Sequence, residues 1–410
     1  MTSIFVKLKK SACLLGGILA FSTMVASPAI AQPKTPIRIG EINSYTGGAP
    51  FTVPYKKGFD LAVEEINAKG GVIGRPLQVI YRDDNLSPAD GVRAANELIL
   101  NEKVDVLAGT FSSAVGLAVA DFANRQKKVF VATEPLTDDL VWAKGSRYVF
   151  RMRSSIYMLT SMIVKEAAAN PAKRWATVSP NFEGGQAFVK EFKKQLSALR
   201  PDVVWVGEQW PAPNKLEAGP TVDALEASKP DAIFNVTYGP DLVRFVREGN
   251  TRGVFEKRFV VSVLSGEPEY LDPLKDETPE GWLVTGYVYQ DERPQHVAFR
   301  KAYEAKYKDY PRFGSLMGYT AAYAIAGGIK RANSVDSEKL VEGLKGLEMD
   351  SPMGKIKIRS GDHQATTGAW IGKLAKKDGK GMMVNWKFMD GAAYLPSEVD
   401  AVKMRPAGSN

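Results

Sequence analysis

The sequence is nearly free of cysteine and histidine. It holds one Cys and two His in 410 residues. A single cysteine cannot form an intramolecular disulfide or a cysteine-ligated zinc site. His296 and His363 are far apart in the chain, neither lies in an H-E-x-x-H motif, and both stand in segments that we interpret as surface. The composition therefore excludes a disulfide scaffold and argues against a zinc centre.

Motifs for phosphate binding and for nucleophilic catalysis are also missing. The chain has no G-x-x-x-x-G-K-[ST] loop, no G-x-S-x-G turn, and no G-x-G-x-x-G after the first predicted strand. Ser112 and Ser113 follow a predicted strand, but a serine nucleophile requires a base, usually histidine. We therefore expect a protein that is not an enzyme and that carries neither a cofactor nor a metal.

Long hydrophobic runs are confined to the beginning of the chain. Three lysines in the first ten residues precede an apolar run over 12–26 and the small-residue pattern Ala-Ile-Ala at 29–31. This order is typical of a cleaved secretory signal, and the run is short for a bilayer span of ~20 residues. We predict a signal peptide over residues 1–31 and a soluble mature protein that begins near Gln32. Because Cys13 lies in the signal, that mature protein has no cysteine.

The charge balance gives no indication of nucleic-acid binding. The formal net charge is +8, and the first 31 residues hold three lysines and no acid, which leaves about +5 for the rest. These charges are spread along the chain without blocks of one sign. We therefore expect a small-molecule ligand rather than a nucleic acid.

What the chain does contain is a regular alternation of short β-rich runs and amphipathic segments. The alternation begins at residue 37, restarts after Arg153 and continues to residue 264. Such a rhythm is typical of parallel sheets with crossover helices. We predict an α/β protein with two doubly wound parallel-sheet lobes, followed by helices over 295–308, 315–331 and 337–345 and by strands over 355–359, 369–374 and 383–388.

Candidate binding residues stand at the carboxyl ends of the predicted strands, where open α/β sheets bind ligands. In the first lobe these residues are Thr46, Phe111, Ser112, Ser113, Glu134, Pro135, Leu136 and Thr137, and in the second lobe they are Phe182 and Tyr238.

Several of these positions have two interpretations. Ser112 and Ser113 precede a predicted helix, whose free N–H groups favour a carboxylate, although Ser113 could simply cap that helix. Glu134 could meet an ammonium or a hydroxyl of a ligand, or it could lie in a solvated turn. Tyr238 and Phe182 could contact a ligand or pack in the core.

Several motifs follow one another in an order that points to one family. They are the run G-F-D-L-A-V-E-E-I-N-A-K-G-G-V-I-G over 58–74, the pattern Tyr81-x-Asp83-Asp84, and Gly109 followed by the two serines. With these motifs the chain resembles the periplasmic leucine/isoleucine/valine-binding proteins from about residue 37 to residue 388. The resemblance implies a type I periplasmic binding protein.

The resemblance also implies a function and an architecture. The protein would be a monomeric, periplasmic solute-binding protein that closes over its ligand and delivers it to an ABC permease and its ATPase. A three-segment hinge would lie near Arg153, Tyr287 and Met349. The first lobe would comprise residues 32–153 and 287–349, and the second lobe residues 154–286 and 350–410. The alternative is a periplasmic ligand-sensing module of a signalling system.

Roles for individual residues follow from the same resemblance. It assigns Ser112 to the ligand carboxylate, the loop 134–137 to carboxylate and ammonium, and Tyr238 and Phe182 to second-lobe contacts. Glu134 replaces a small residue of the family pattern, and there is one more important departure.

The departure concerns the second-lobe acid that holds the ammonium group in branched-chain receptors. Val263 and Leu264 occupy the aligned positions, and Glu267 matches only with a shift. We therefore leave the ligand open between an amino acid of the branched-chain type and an aromatic or other organic acid.

Overall fold

The computed structural model describes residues 1–9 and 35–409. Residues 1–9 have no regular secondary structure. Residues 10–31 of the predicted signal peptide lie outside the described residues. Within the described ranges, no helix is long and apolar enough to span a bilayer.

A parallel five-stranded sheet forms from the first part of the chain. Its elements are β1 (Ile37–Asn43), α1 (Ala49–Ala68), β2 (Leu77–Asp83), α2 (Pro88–Leu100), β3 (Val106–Gly109), α3 (Ser113–Arg125), β4 (Phe130–Ala132) and β5 (Val149–Arg151). The strands lie in the order β2-β1-β3-β4-β5. The residues of β3, β4 and β5 are all buried, as expected for parallel strands covered on both faces.

The next part of the chain builds most of a second sheet. Its elements are α4 (Ile156–Ala168), β6 (Arg174–Val178), α5 (Glu183–Leu199), β7 (Val204–Gln209), α6 (Ala218–Ser228), β8 (Ala232–Asn235), α7 (Gly239–Thr251), β9 (Phe259–Gly266), α8 (Pro268–Leu274) and β10 (Leu283–Gly286). Strands β6 to β10 are parallel. The predicted α/β fold with two parallel-sheet lobes is confirmed.

The remaining elements complete both lobes. They are α9 (Pro294–Tyr307), α10 (Phe313–Ala332), α11 (Ser337–Leu344), β11 (Glu348–Ser351), β12 (Gly354–Lys357), β13 (Ala369–Lys377), β14 (Lys380–Met389) and α12 (Glu398–Lys403). Strands β13 and β14 join the second sheet in antiparallel orientation, which gives the order β14-β13-β10-β9-β8-β6-β7. Strands β11 and β12 form a separate hairpin.

Helix α10 packs along α1 with the two backbones nearly in contact. A Cβ atom at Gly58 of α1 would lie 1.9 Å from the carbonyl oxygen of Ser315, and one at Gly318 of α10 would lie 2.2 Å from that of Tyr55. Only glycine fits at such a distance. The close contact between α1 and α10 thus places this later part of the chain in the same lobe as the first sheet.

The chain passes between the two sheets three times. The crossings follow β5, β10 and β12, and they lie side by side: Ser154 Oγ donates to the carbonyl of Thr367 at 2.6 Å, and Trp370 Nε1 donates to Asp291 Oδ2 at 2.8 Å. The third crossing lies near Thr367 rather than near Met349. Before it, Gln364 pairs with Arg151 of β5, so residues up to 365 lie beside the first sheet.

Both histidines are fully buried, so their expected surface location is wrong. His296 Nε2 shares a hydrogen bond of 2.8 Å with the hydroxyl of Tyr287, and the ring of His363 stacks on Phe150 with centroids 4.3 Å apart. Burial lowers the pKa of His296 to about 4 and that of His363 to about 3. Both rings are therefore neutral parts of the core at neutral pH.

Candidate functional site

A glycine at the end of β3 allows α3 to begin where it does. Gly109 has φ +108°, and a Cβ atom there would lie 2.3 Å from the carbonyl oxygen of Ile42 and 2.4 Å from Glu41 Oε1. The chain then reaches Ser112, the N-cap of α3, whose side chain bonds none of the amides of the helix. The first N–H groups of α3 and the Ser112 hydroxyl thus remain available to an anion.

Ser113 connects α3 to the loop after β4. Its Oγ accepts hydrogen bonds from the backbone N–H groups of Leu136 and Thr137, both at 3.3 Å. Pro135 packs against α3, because a Cβ atom at Gly116 would lie 2.6 Å from its Cγ. The alternative that Ser113 merely caps its own helix is therefore wrong. The structure brings these first-lobe candidates together.

The same loop reaches the second lobe. Thr137 Oγ1 donates to Glu183 Oε1 at 2.7 Å, at the first residue of α5. The neighbouring Phe182 makes an edge contact with Tyr238, with ring centroids 5.8 Å apart. Phe182 is 37% exposed, and Tyr238 is half-buried and packs against the edge of the core. The two second-lobe candidates thus form one aromatic pair.

Phe111 and Thr46 have different surroundings. Phe111 stacks on Phe51 at 5.1 Å, and Phe51 meets Tyr270 of α8 at 5.3 Å, so this aromatic row also crosses between the lobes. Thr46 is exposed, and its N–H and hydroxyl both donate to Asp83 Oδ2, at 2.9 and 2.5 Å. Those bonds tie Thr46 to the end of β2, and its ligand role stays a prediction.

Glu134 is only 2% exposed, so the alternative of a solvated turn is wrong. Its Oε1 lies 3.6 Å from Arg153 Nη1, on the first crossing, and Arg153 Nη2 donates to Glu267 Oε1 at 2.5 Å. The guanidinium also lies over the ring of Phe313 at 4.4 Å. The family resemblance predicts Arg153 at the hinge but not in the site, and no local motif marks it.

A third carboxyl lies beside this group. Glu269 of α8 accepts a hydrogen bond from the N–H of Gly314, in the first turn of α10, at 2.8 Å. Neither α8 nor Glu269 is recognisable from the sequence, because a seven-residue helix with two prolines has no clear periodicity. A second-lobe carboxylate therefore caps a helix that packs on the first lobe.

The buried carboxyls have shifted pKa values. Burial raises the pKa of Glu134 to about 8 and that of Glu267 to about 8, and the charge of Arg153 opposes this only in part. Burial also raises the pKa of Glu269. For Arg153, burial alone would lower the pKa, but Glu267 and Glu134 outweigh it and the pKa is raised. The site thus holds one fixed cation among three buried carboxyls.

Two buried polar atoms at the end of the first sheet have no hydrogen-bond partner within the described part of the chain. They are Thr110 Oγ1 and Glu134 Oε2. An unsatisfied buried polar atom costs ~1–3 kcal/mol, so these atoms are suited to meet a ligand or water. No group of His, Cys, Asp or Glu among the described residues is arranged to hold a metal ion.

Comparisons with known proteins cover most of the chain. The family model described as periplasmic binding protein matches residues 36–380. The leucine-, isoleucine-, valine-, threonine-, and alanine-binding protein of Pseudomonas aeruginosa is 24% identical over 351 residues, which cover 85% of this chain and 92% of that protein.

Solved structures agree in fold. A solute-binding protein of an ABC transporter from Rhodopseudomonas palustris BisB5, in complex with 3,4-dihydroxybenzoic acid, matches with a TM-score of 0.78 and 24% identity over 87% of this chain and 98% of that one. A periplasmic binding protein from Burkholderia mallei matches with a TM-score of 0.80 and 18% identity over 90% and 98%. At these identities the likeness establishes the fold.

Proposed function

The chain belongs to the periplasmic binding protein family, and on that premise we propose that it captures a small carboxylate-bearing ligand between its lobes for an ABC importer. The family places the protein in the periplasm. The observation that carries the proposal is the convergence of polar groups from both lobes on the ends of β3, β4 and β9. No catalytic step is needed for this function.

The arrangement suggests how the ligand would lie. The ligand carboxylate would sit at Ser112 and the first amides of α3, where the helix dipole adds ~0.3–1 kcal/mol. The other end of the ligand would meet Glu134, with Phe182 and Tyr238 covering it from the second lobe. Both ligand classes remain candidates: the Pseudomonas aeruginosa relative is named for aliphatic amino acids, and the Rhodopseudomonas palustris structure holds an aromatic acid.

The three crossings would act as the hinge. We assign residues 35–153 and 287–366 to the first lobe, and 154–286 with β13 and β14 to the second. The end of the chain returns to the first lobe, because Arg405 donates to the carbonyls of Val141 at 2.7 Å and Ser146 at 3.1 Å. We further propose that residues 1–31 are removed on secretion, that the protein is a monomer, and that it docks on an ABC permease with its ATPase.

A thermal-shift screen of the protein from Gln32 onward tests the proposal. The panel would include L-leucine, L-isoleucine, L-valine, L-threonine, urea, benzoate, 4-hydroxybenzoate and 3,4-dihydroxybenzoate. A ligand at 100 times its Kd adds ~2.7 kcal/mol to the native state and raises the melting temperature. Stabilisation by amino acids alone or by aromatic acids alone would fix the ligand class. No shift with any amino acid or acid would refute the proposed ligands.

A further inference from the structure

The two lobes meet at a buried group with an uneven charge balance. Glu134 belongs to the first lobe, Glu267 to the second, and Arg153 to the crossing between them. Their exposed fractions are 2%, 3% and 4%. The guanidinium bonds Glu267 at 2.5 Å, approaches Glu134 no closer than 3.6 Å, and leaves Glu134 Oε2 without a partner within the described residues.

We propose that Glu134, Arg153 and Glu267 form a proton-binding triad that takes up one proton as the lobes close, so that a proton is a second ligand of the interlobe site. This inference rests on the hinge motion of the proposed function. It concerns the charge of the closed interface without ligand, because the ammonium group of an amino acid at Glu134 would take the place of the proton.

The geometry requires the proton. One guanidinium can neutralise one carboxylate, and the second carboxylate would be buried without a close counter-ion, which costs several kcal/mol. A proton on either carboxyl removes that cost and turns the acceptor into an O–H donor. When the lobes separate, the carboxyls gain water and return toward the ordinary glutamate pKa of about 4.3.

The groups that face the triad act in the same direction. Glu269 and Tyr270 of α8 face it from the second lobe, and Glu41 of β1 and Tyr55 of α1 face it from the first. Phe313 of α10 adds an apolar ring. Burial raises the pKa of both tyrosines well above 10, so they stay neutral. The charge of Glu269 strengthens proton binding by Glu134 and Glu267, burial also raises the pKa of Glu41, and Arg153 is the only cation among these groups.

The sign of the pH dependence follows directly. With the lobes in contact as in this structure, the pKa values of Glu134 and Glu267 are raised to about 8, and exposure to water on opening would lower them toward the ordinary glutamate pKa. The proton therefore favours closure fully at low pH, and this contribution is lost as the pH rises through about 8. Because one proton is taken up on closure, the ratio of closed to open protein falls about tenfold for each pH unit between about pH 5 and 8. Above about pH 8 the ratio no longer depends on pH.

A distance measurement between the lobes tests the triad. The chain from Gln32 onward contains no cysteine, so nitroxide labels can be attached through Lys69→Cys and Lys257→Cys. Both lysines are exposed, one at the end of α1 and the other just before β9. Double electron–electron resonance between pH 5 and 9.5 would report the closed fraction. The neutral histidines do not titrate between pH 6 and 9.5, and circular dichroism at each pH confirms the fold.

Matched variants isolate the groups involved. Glu134→Gln leaves the guanidinium paired with Glu267 alone and should remove most of the pH dependence, and Glu267→Gln provides a second test if the first variant does not fold. Glu183→Gln is the control, because Glu183 also bonds across the lobes but is exposed. It should keep the profile of the parent protein. A flat profile in the parent, or an unchanged profile in a folded Glu134→Gln or Glu267→Gln variant, overturns the proposal.

Ligand arms separate this inference from the proposed function. L-leucine and 3,4-dihydroxybenzoate are added at pH 7 to the labelled parent. If either shortens the distance while the ligand-free profile is flat, the proposed function stands and the triad proposal fails. If the profile has the expected slope while neither compound closes the lobes, the triad stands and these ligands are wrong.

Discussion

Replacing Gly58 by alanine should destabilise the protein at the seam between α1 and α10. The added Cβ atom would lie 1.9 Å from the carbonyl oxygen of Ser315, whereas non-bonded atoms are in favourable contact at about 3.5 Å. The obstacle is backbone on the facing helix, so no side-chain rotation relieves it. The two helices must separate by about 1.5 Å.

Two effects of opposite sign set the magnitude. Overpacking of this kind costs ~1–3 kcal/mol, and we expect the upper end because α1 and α10 are both 20-residue helices that must move as units. Alanine also gains ~1 kcal/mol of helix propensity over glycine. The net expectation is a loss of about 2 kcal/mol, measured as a lower urea midpoint by tryptophan fluorescence and circular dichroism.

Gly327 on α10 provides the matched control. A Cβ atom there would lie 3.3 Å from Leu347 Cδ2, which is the end of a flexible side chain. Gly327→Ala should therefore keep most of the propensity gain and leave stability unchanged or up to ~1 kcal/mol higher. The reasoning is refuted if Gly58→Ala unfolds at the same urea concentration as the parent, or if the two variants behave alike.

Three further outcomes are expected. Ser112→Ala should weaken ligand binding about tenfold, for whichever acid stabilises the protein in the thermal-shift screen. The melting temperature without ligand should not change. An affinity equal to that of the parent would remove Ser112 from the site. Glu269→Ala should cost ~1 kcal/mol by uncapping Gly314, and Glu269→Gln, which keeps an acceptor, should cost less; equal urea midpoints would contradict the cap. Burial alone would raise the pKa of Asp362, but the ion pair with Arg359 outweighs burial and lowers the pKa. The Asp362 carboxylate therefore stabilises the folded protein above pH ~4, and this stabilisation is lost as the pH falls below that. Asp362→Asn should thus cost ~3 kcal/mol at pH 7 and progressively less as the pH falls below ~4, and a constant gap would argue against the ion pair.

The alternating pattern predicted most of the elements because parallel strands are short apolar runs between amphipathic helices. The unpredicted strands β5 and β10 have three and four residues and are fully buried, which is too short for a period to be recognised. Helix α1 begins at Ala49, nine residues before the motif over 58–74, since Pro50 in its first turn lacks only an N–H that would be unpaired there. Boundaries of this kind depend on packing that a local pattern does not contain.

Individual parts of the site were predictable to different degrees. The Ser113–Thr137 contact and the Phe182–Tyr238 pair could be predicted from the positions of these residues after strands. The topology of a parallel sheet brings the carboxyl ends of its strands to one edge. The sequence could not show that Glu134 and Glu267 share Arg153, since the three residues come from different segments and meet only where the lobes touch. A charged residue in the sequence does not by itself indicate a site. The pKa values of these carboxyls depend on their burial, which only the folded structure shows.

The attachment of the chain end to the first lobe has a practical consequence for sensor design. Arg405 donates to the carbonyls of Val141, Ser146 and Asp362, which holds the end of the chain on the first lobe. A fluorescent protein fused after residue 409 would therefore be attached to the same lobe as one fused at residue 35. Such a pair would report little of a hinge movement. The exposed turn between β13 and β14, over 377–380, belongs to the second sheet. A fluorophore inserted in that turn, paired with one at either end of the chain, would convert lobe closure into an optical signal.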